Sequence, residues 1–161
     1  VISRHPLFIL LDKELNDIVR ESNYLLSAQD ALHKDLPAVH PQLDQIVYIA
    51  MASTIEKLYG GMEKCLQRIA ANVDEFSPKG DSWHKDLIDQ MEIATEDRPA
   101  VLSHDTANAL HIFRAFRHRE RNIYGSVLDR QRILALTEDA LALLKAFRDD
   151  ISKFERAMGE E

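Results

Sequence analysis

Apolar side chains recur along this chain with the 3.6-residue period of an α-helix, over runs too long for strands. Between Leu7 and Leu36 they fall at positions 7, 8, 11, 15, 18, 19, 25, 26 and 32, the stripe of one amphipathic helix. Pro37 ends that run. Pro41 suits a first helical turn, and Ile46, Val47, Ile49, Ala50, Ile55, Leu58, Met62, Leu66, Ile69 and Val73 carry a second helix onward. Gly60 and Gly61 fall inside it, each costing about 1 kcal/mol relative to alanine. Such a pair marks a close helix crossing or a bend.

The stretch DEFSPKGD, 74 to 81, holds the proline and glycine of a connection, and Ser82 follows at an N-cap position. A short third helix is expected from Trp83 to about Ala94. Pro99 biases Arg98 away from helical geometry, which makes 95 to 103 a loop. Ser103 then caps a fourth helix bearing Ala109, Leu110, Ile112, Phe113 and Phe116. Asp129 caps a last one bearing Ile133, Leu134, Leu136, Leu141, Leu143, Leu144, Phe147, Ile151 and Phe154. No segment of useful length alternates with the period of a strand. Five glycines and five prolines among 161 residues agree with long helices, and 45% hydrophobic residues suffice for a sizeable core. The expectation is one all-α domain over residues 1 to 161, a bundle of four long helices plus one short helix.

Several function classes drop out. No apolar run approaches the roughly 18 residues of a membrane span. The N-terminal LFILL patch is broken by Asp12 and Lys13 with no small-residue cleavage site after it, so it does not read as a signal peptide. A single cysteine, Cys65, excludes an intramolecular disulfide and agrees with the cytoplasm; it reads as a small core residue. The net charge of −7 argues against broad nonspecific nucleic-acid binding, so any such site must be local. There is no HExxH, no paired Cys/His set and no glycine-rich phosphate loop, and neither metal nor cofactor is expected. His84, in SWHKDL, has no partner at ligand spacing and reads as a structural first-turn contact. His5, His33, His40, His104 and His111 are scattered.

One stretch stands against the acidic background: FRAFRHRERNIYG, 113 to 125, with four arginines. At 100° per residue Arg114, Arg117, Arg121 and Tyr124 fall within one stripe about 100° wide. Arginines so placed can clamp phosphates with paired hydrogen bonds. Spacing alone favours a solvated face, paired with Glu120 or with neighbouring helices. His118 could move a proton, yet it shares its face with Asn122 and diverges from the arginines.

The segment Arg117-His-Arg-Glu-Arg-Asn122-Ile-Tyr124 resembles the R-x4-H-x-Y signature of HEPN ribonuclease toxins of the HepT type. YGGMEKCLQRIA (59 to 70), SPKGDSWHKDLIDQM (77 to 91) and DRPAVLS (97 to 103) are similar to blocks of that family in the same order. The resemblance covers residues 45 to 128 best. It implies a HEPN-type helical bundle, a homodimer whose paired motifs form one cleft, and metal-independent cleavage of RNA. Residues 117 and 122 lie about 140° apart on a continuous helix; a break near 122 or a second subunit makes them converge.

By the same resemblance Arg117 binds the scissile phosphate; Arg114 and Arg121, from the shared stripe, and His118, within the cluster, are the further RNA-phosphate contacts expected. Tyr124 is the acceptor of AMP from an MNT-type nucleotidyltransferase antitoxin. The family's catalytic histidine falls at Asn122, which hydrogen-bonds but does not titrate. Its loss lowers the expected rate by about 10² to 10⁴, whether the asparagine is natural or was introduced to make a toxic protein tolerable. The alternative, from a different class, is a noncatalytic bundle that binds RNA or a protein through its arginine face.

Overall fold

The computed structural model describes residues 5–34, 41–120 and 129–159. Among them run five helices and no strand: α1 (Pro6–His33), α2 (Pro41–Asn72), α3 (Trp83–Glu92), α4 (His104–Glu120) and α5 (Arg130–Ala157). Four are long and α3 is short, the all-α bundle that the periodicity predicts.

The helix starts follow capping chemistry. His5 precedes Pro6, and its Nδ1 accepts the Leu7 N–H at 3.2 Å. Ser103 Oγ accepts the Thr106 N–H at 3.3 Å, and Asp129 accepts the Arg132 N–H at 3.1 Å. Ser82 departs from expectation. It stands at the N-cap of α3, but its hydroxyl donates to Asp86 Oδ2 at 2.6 Å and makes no capping bond. That helix also stops at Glu92, two residues early, because Arg98 takes the carbonyls of Gln90 and Ile93.

α1 lies along α2, α5 closes against both, and α3 and α4 pack together on α2. Gly61 is the crossing point of the first pair. A Cβ there would sit 2.5 Å from Ile18 Cγ1, whereas one at Gly60 would meet nothing within 4 Å. The core runs through Leu11, Leu25, Met51, Ile55, Met62, Leu66, Leu87, Phe113, Phe147 and Phe154. At the start of α2 the inward positions are Tyr48, Met51 and Ile55, spaced +3 and +4. This leaves Ile46 and Ile49 turned outward and exposed, as Ile112 is on α4. No helix among the described residues is long and apolar enough to cross a membrane.

The connection around α3 is fixed by a buried clasp. Arg98, 2% exposed, donates from Nε and Nη2 to the two oxygens of Asp74, at 2.5 and 2.7 Å. Its remaining donors reach the carbonyls of Gln90, Ile93 and Pro99. The DRPAVLS block is therefore a folding device: it ends α3 and starts α4.

Candidate active site

Tyr59 and Glu63 are four residues apart on the inward side of α2, an apolar stripe otherwise filled by Leu58, Met62 and Leu66. A carboxylate in such a place needs partners, and Glu63, 7% exposed, has three. Arg117 Nη1 on α4 donates to Oε1 at 2.9 Å. The Tyr59 hydroxyl donates to Oε2 at 2.9 Å, and Nδ1 of His84, in the first turn of α3, meets the same oxygen at 2.5 Å. Three helices thus converge on one side chain.

The cluster has a defined chemistry. A carboxylate only accepts, so His84 carries its proton on Nδ1. Its Nε2 has no partner among the described residues. The imidazole is stacked on Trp83 with ring centroids 3.6 Å apart, which fixes its plane. Arg117 lies 5.7 Å over the Tyr59 ring. Burial pushes the Tyr59 phenol well above its ordinary range, and the charge and hydrogen bond of Glu63 push it further. Tyr59 is a fixed donor and does not titrate in the neutral range.

These groups open into a cavity of about 240 Å³ lined by Tyr59, Asp81, Ser82, His84, Lys85, Arg114 and Arg117. Lys85 is matched by Asp89 at 2.5 Å and Arg117 by Glu63. Arg114 has no ion pair among the described residues, and its Nε is inaccessible and without a hydrogen-bond partner. The cavity wall thus carries two arginines, a lysine and Asp81, and Arg114 is the cation among them with no ion pair among the described residues.

A family model described as HepT-like protein matches residues 50–158. The chain belongs to the HepT-like family. It is thus a toxin-like protein of the HEPN type. The match takes in every residue of the Glu63 cluster and extends past the sequence blocks to the end of α5. No curated protein and no solved structure matches the chain.

Of the residues expected from sequence, Arg114 and Arg117 line the cavity of this HepT-like chain together. Arg121, Asn122 and Tyr124 lie outside the described residues, as does the side chain of His118. Glu63 and Tyr59 were not expected, and His84 was read as structural. A signal was present: an acid set four residues after a tyrosine, inside the apolar stripe of a long helix. Pairing between α2 and α4 was partly foreseen, since the solvated-face reading assigned the arginines to neighbouring acids.

Proposed function

We propose that this HepT-like chain is the toxin of a HepT/MNT toxin–antitoxin pair and a metal-independent endoribonuclease attenuated by Asn122. Arg117 binds the scissile phosphate and Arg114 shares its charge; Tyr124 receives AMP from the nucleotidyltransferase antitoxin. AMP on Tyr124 would place negative charge near these arginines and compete with RNA for them. The observation that carries the reading is the pairing of Arg117, held in place by a buried carboxylate, with the uncompensated Arg114 in one cavity. A homodimer would set two such cavities in one cleft. The outward Leu43, Ile46 and Ile49 at the start of α2 favour it.

The test is to restore the histidine. Purified Asn122→His should cleave RNA and arrest growth when expressed, and Arg117→Ala added to it should abolish both. A folded Asn122→His dimer that cleaves no RNA rejects the enzyme. Incubation with the cognate nucleotidyltransferase and ATP should add AMP; equal labelling of Tyr124→Phe rejects the acceptor. One observation favours the second reading, a noncatalytic RNA- or protein-binding bundle: Asn122 has no titratable group.

A further inference from the structure

RNA cleavage at a 2′-hydroxyl needs a group that accepts its proton, and position 122 offers an amide. Among the side chains lining the described cavity, Asp81 and His84 could serve, and His84 is the one held by a carboxylate and a stacked ring. His84 has Nδ1 bound to the Glu63 carboxylate at 2.5 Å, its ring stacked on Trp83, and Nε2 unpartnered. Those contacts fix the tautomer with the lone pair on Nε2. A carboxylate behind an imidazole both orients it and stabilises the imidazolium formed when it takes a proton. Arg114 and Arg117 line the same cavity as His84.

We propose that His84 is the proton acceptor of this site, taking the 2′-hydroxyl proton of bound RNA at Nε2 while Arg114 and Arg117 hold the phosphate. This rests on the ribonuclease reading above. The O2′ attacks the adjacent phosphorus, the P–O2′ bond forms and the P–O5′ bond breaks. Solvent water protonates the departing 5′ oxygen, and His84 returns its proton to solvent. The products are a 2′,3′-cyclic phosphate and a 5′-hydroxyl. Tyr59 cannot take this part, because burial and Glu63 hold its proton in place.

The charged and titratable groups around His84 are Glu63 and Tyr59 from α2, Arg114 and Arg117 from α4, and Asp81 and Lys85 flanking its own turn.

The experiment uses the full chain with a pool of end-labelled, random-sequence RNA oligonucleotides, and 2′-O-methyl copies as uncleavable controls. The unaltered chain should cleave slowly to 2′,3′-cyclic ends. His84→Ala should lower the rate about 100-fold or more, leave affinity for the 2′-O-methyl pool unchanged, and recover activity in added imidazole. Far-UV circular dichroism reports that the helices stay folded, since the Trp83 ring stacks on the imidazole that is removed. His84→Gln, which keeps a donor for Glu63, should be equally slow. Cleavage by His84→Gln within about threefold of the unaltered chain overturns the assignment. So does an unaltered chain that is silent while Asn122→His cleaves, an outcome that leaves the ribonuclease reading intact. Silence of both chains rejects both.

Discussion

Arg117 on α4 donates to Glu63 on α2 at 2.9 Å, across 54 positions of sequence. The bond joins the arginine-bearing half of α4 to the interior of α2. Arg117 can therefore meet a phosphate only in the direction that Glu63 leaves open, since one face of its guanidinium covers Tyr59 and one nitrogen is engaged. A guanidinium so held has less rotamer freedom to lose on binding.

Removing one partner of a buried pair leaves the other charge uncompensated. Glu63→Ala should lower unfolding free energy by about 3 kcal/mol, measured by urea denaturation. Arg117→Ala, whose side chain is one-fifth exposed, should cost less. A double-mutant cycle between them should give a coupling of about 1 to 3 kcal/mol. Coupling near zero would show that the bond fixes neither helix.

The adjacent glycines of α2 should respond with opposite signs. Gly60→Ala meets open space and should stabilise by roughly 0.5 to 1 kcal/mol through helix propensity. Gly61→Ala drives a methyl into Ile18, a buried and β-branched side chain that has little rotamer freedom to yield. It should destabilise by about 1 to 3 kcal/mol. Equal effects at the two positions in urea denaturation would mean that α1 does not cross α2 at Gly61.

Most of the fold is written in the local pattern of this chain. The apolar stripes mark the helix faces, and Pro41, Ser103 and Asp129 mark three helix starts, without tertiary knowledge, because periodicity and capping are local. Glu63 was not legible. Its role exists only because α3 and α4 bring His84 and Arg117 to it from 21 and 54 positions away. Ser82 misled for a backbone reason: at φ −96° and ψ 4° it lacks the extended geometry of a capping residue, and the Lys85 N–H goes to its carbonyl at 2.9 Å, not to its hydroxyl. Arg98 was legible as a loop residue beside proline, but its five donations into a buried clasp depend on Asp74, 24 positions away.

The Asp74–Arg98 clasp should give the protein an acid-sensitive component of stability. Burial alone would push the Asp74 carboxyl up, but the hydrogen bonds from Arg98 and Gln90 outweigh it and hold the group below the usual carboxylate range. The folded value is thus below the unfolded one of about 3.9. The stabilisation is complete above that unfolded value and is lost as pH falls through the folded one. Thermal unfolding followed from neutral to strongly acidic pH should show a smaller acid-side loss in Asp74→Asn, which starts from a lower neutral-pH stability. An identical acid-side slope in both chains would remove the clasp from the acid response.

Arg114 differs from Arg117 in carrying a charge with no counterion among the described residues and an inaccessible Nε with no acceptor. An unpartnered donor of this kind costs about 1 to 3 kcal/mol, and its proximity to Arg117 in the same cavity adds like-charge repulsion. Arg114→Met keeps the aliphatic packing and removes both penalties, so it should leave stability unchanged or raise it by about 1 kcal/mol. If the guanidinium serves phosphate, the same substitution should weaken RNA binding about tenfold and reduce the salt dependence of affinity by about one counterion. Arg114→Lys should recover the salt dependence but only part of the affinity, since a lysine cannot offer the paired donors. Fluorescence anisotropy with labelled RNA at several salt concentrations, beside urea denaturation, separates the two roles. Lower stability with unchanged RNA affinity in Arg114→Met would make this residue a structural one and leave Arg117 as the phosphate contact of the described cavity.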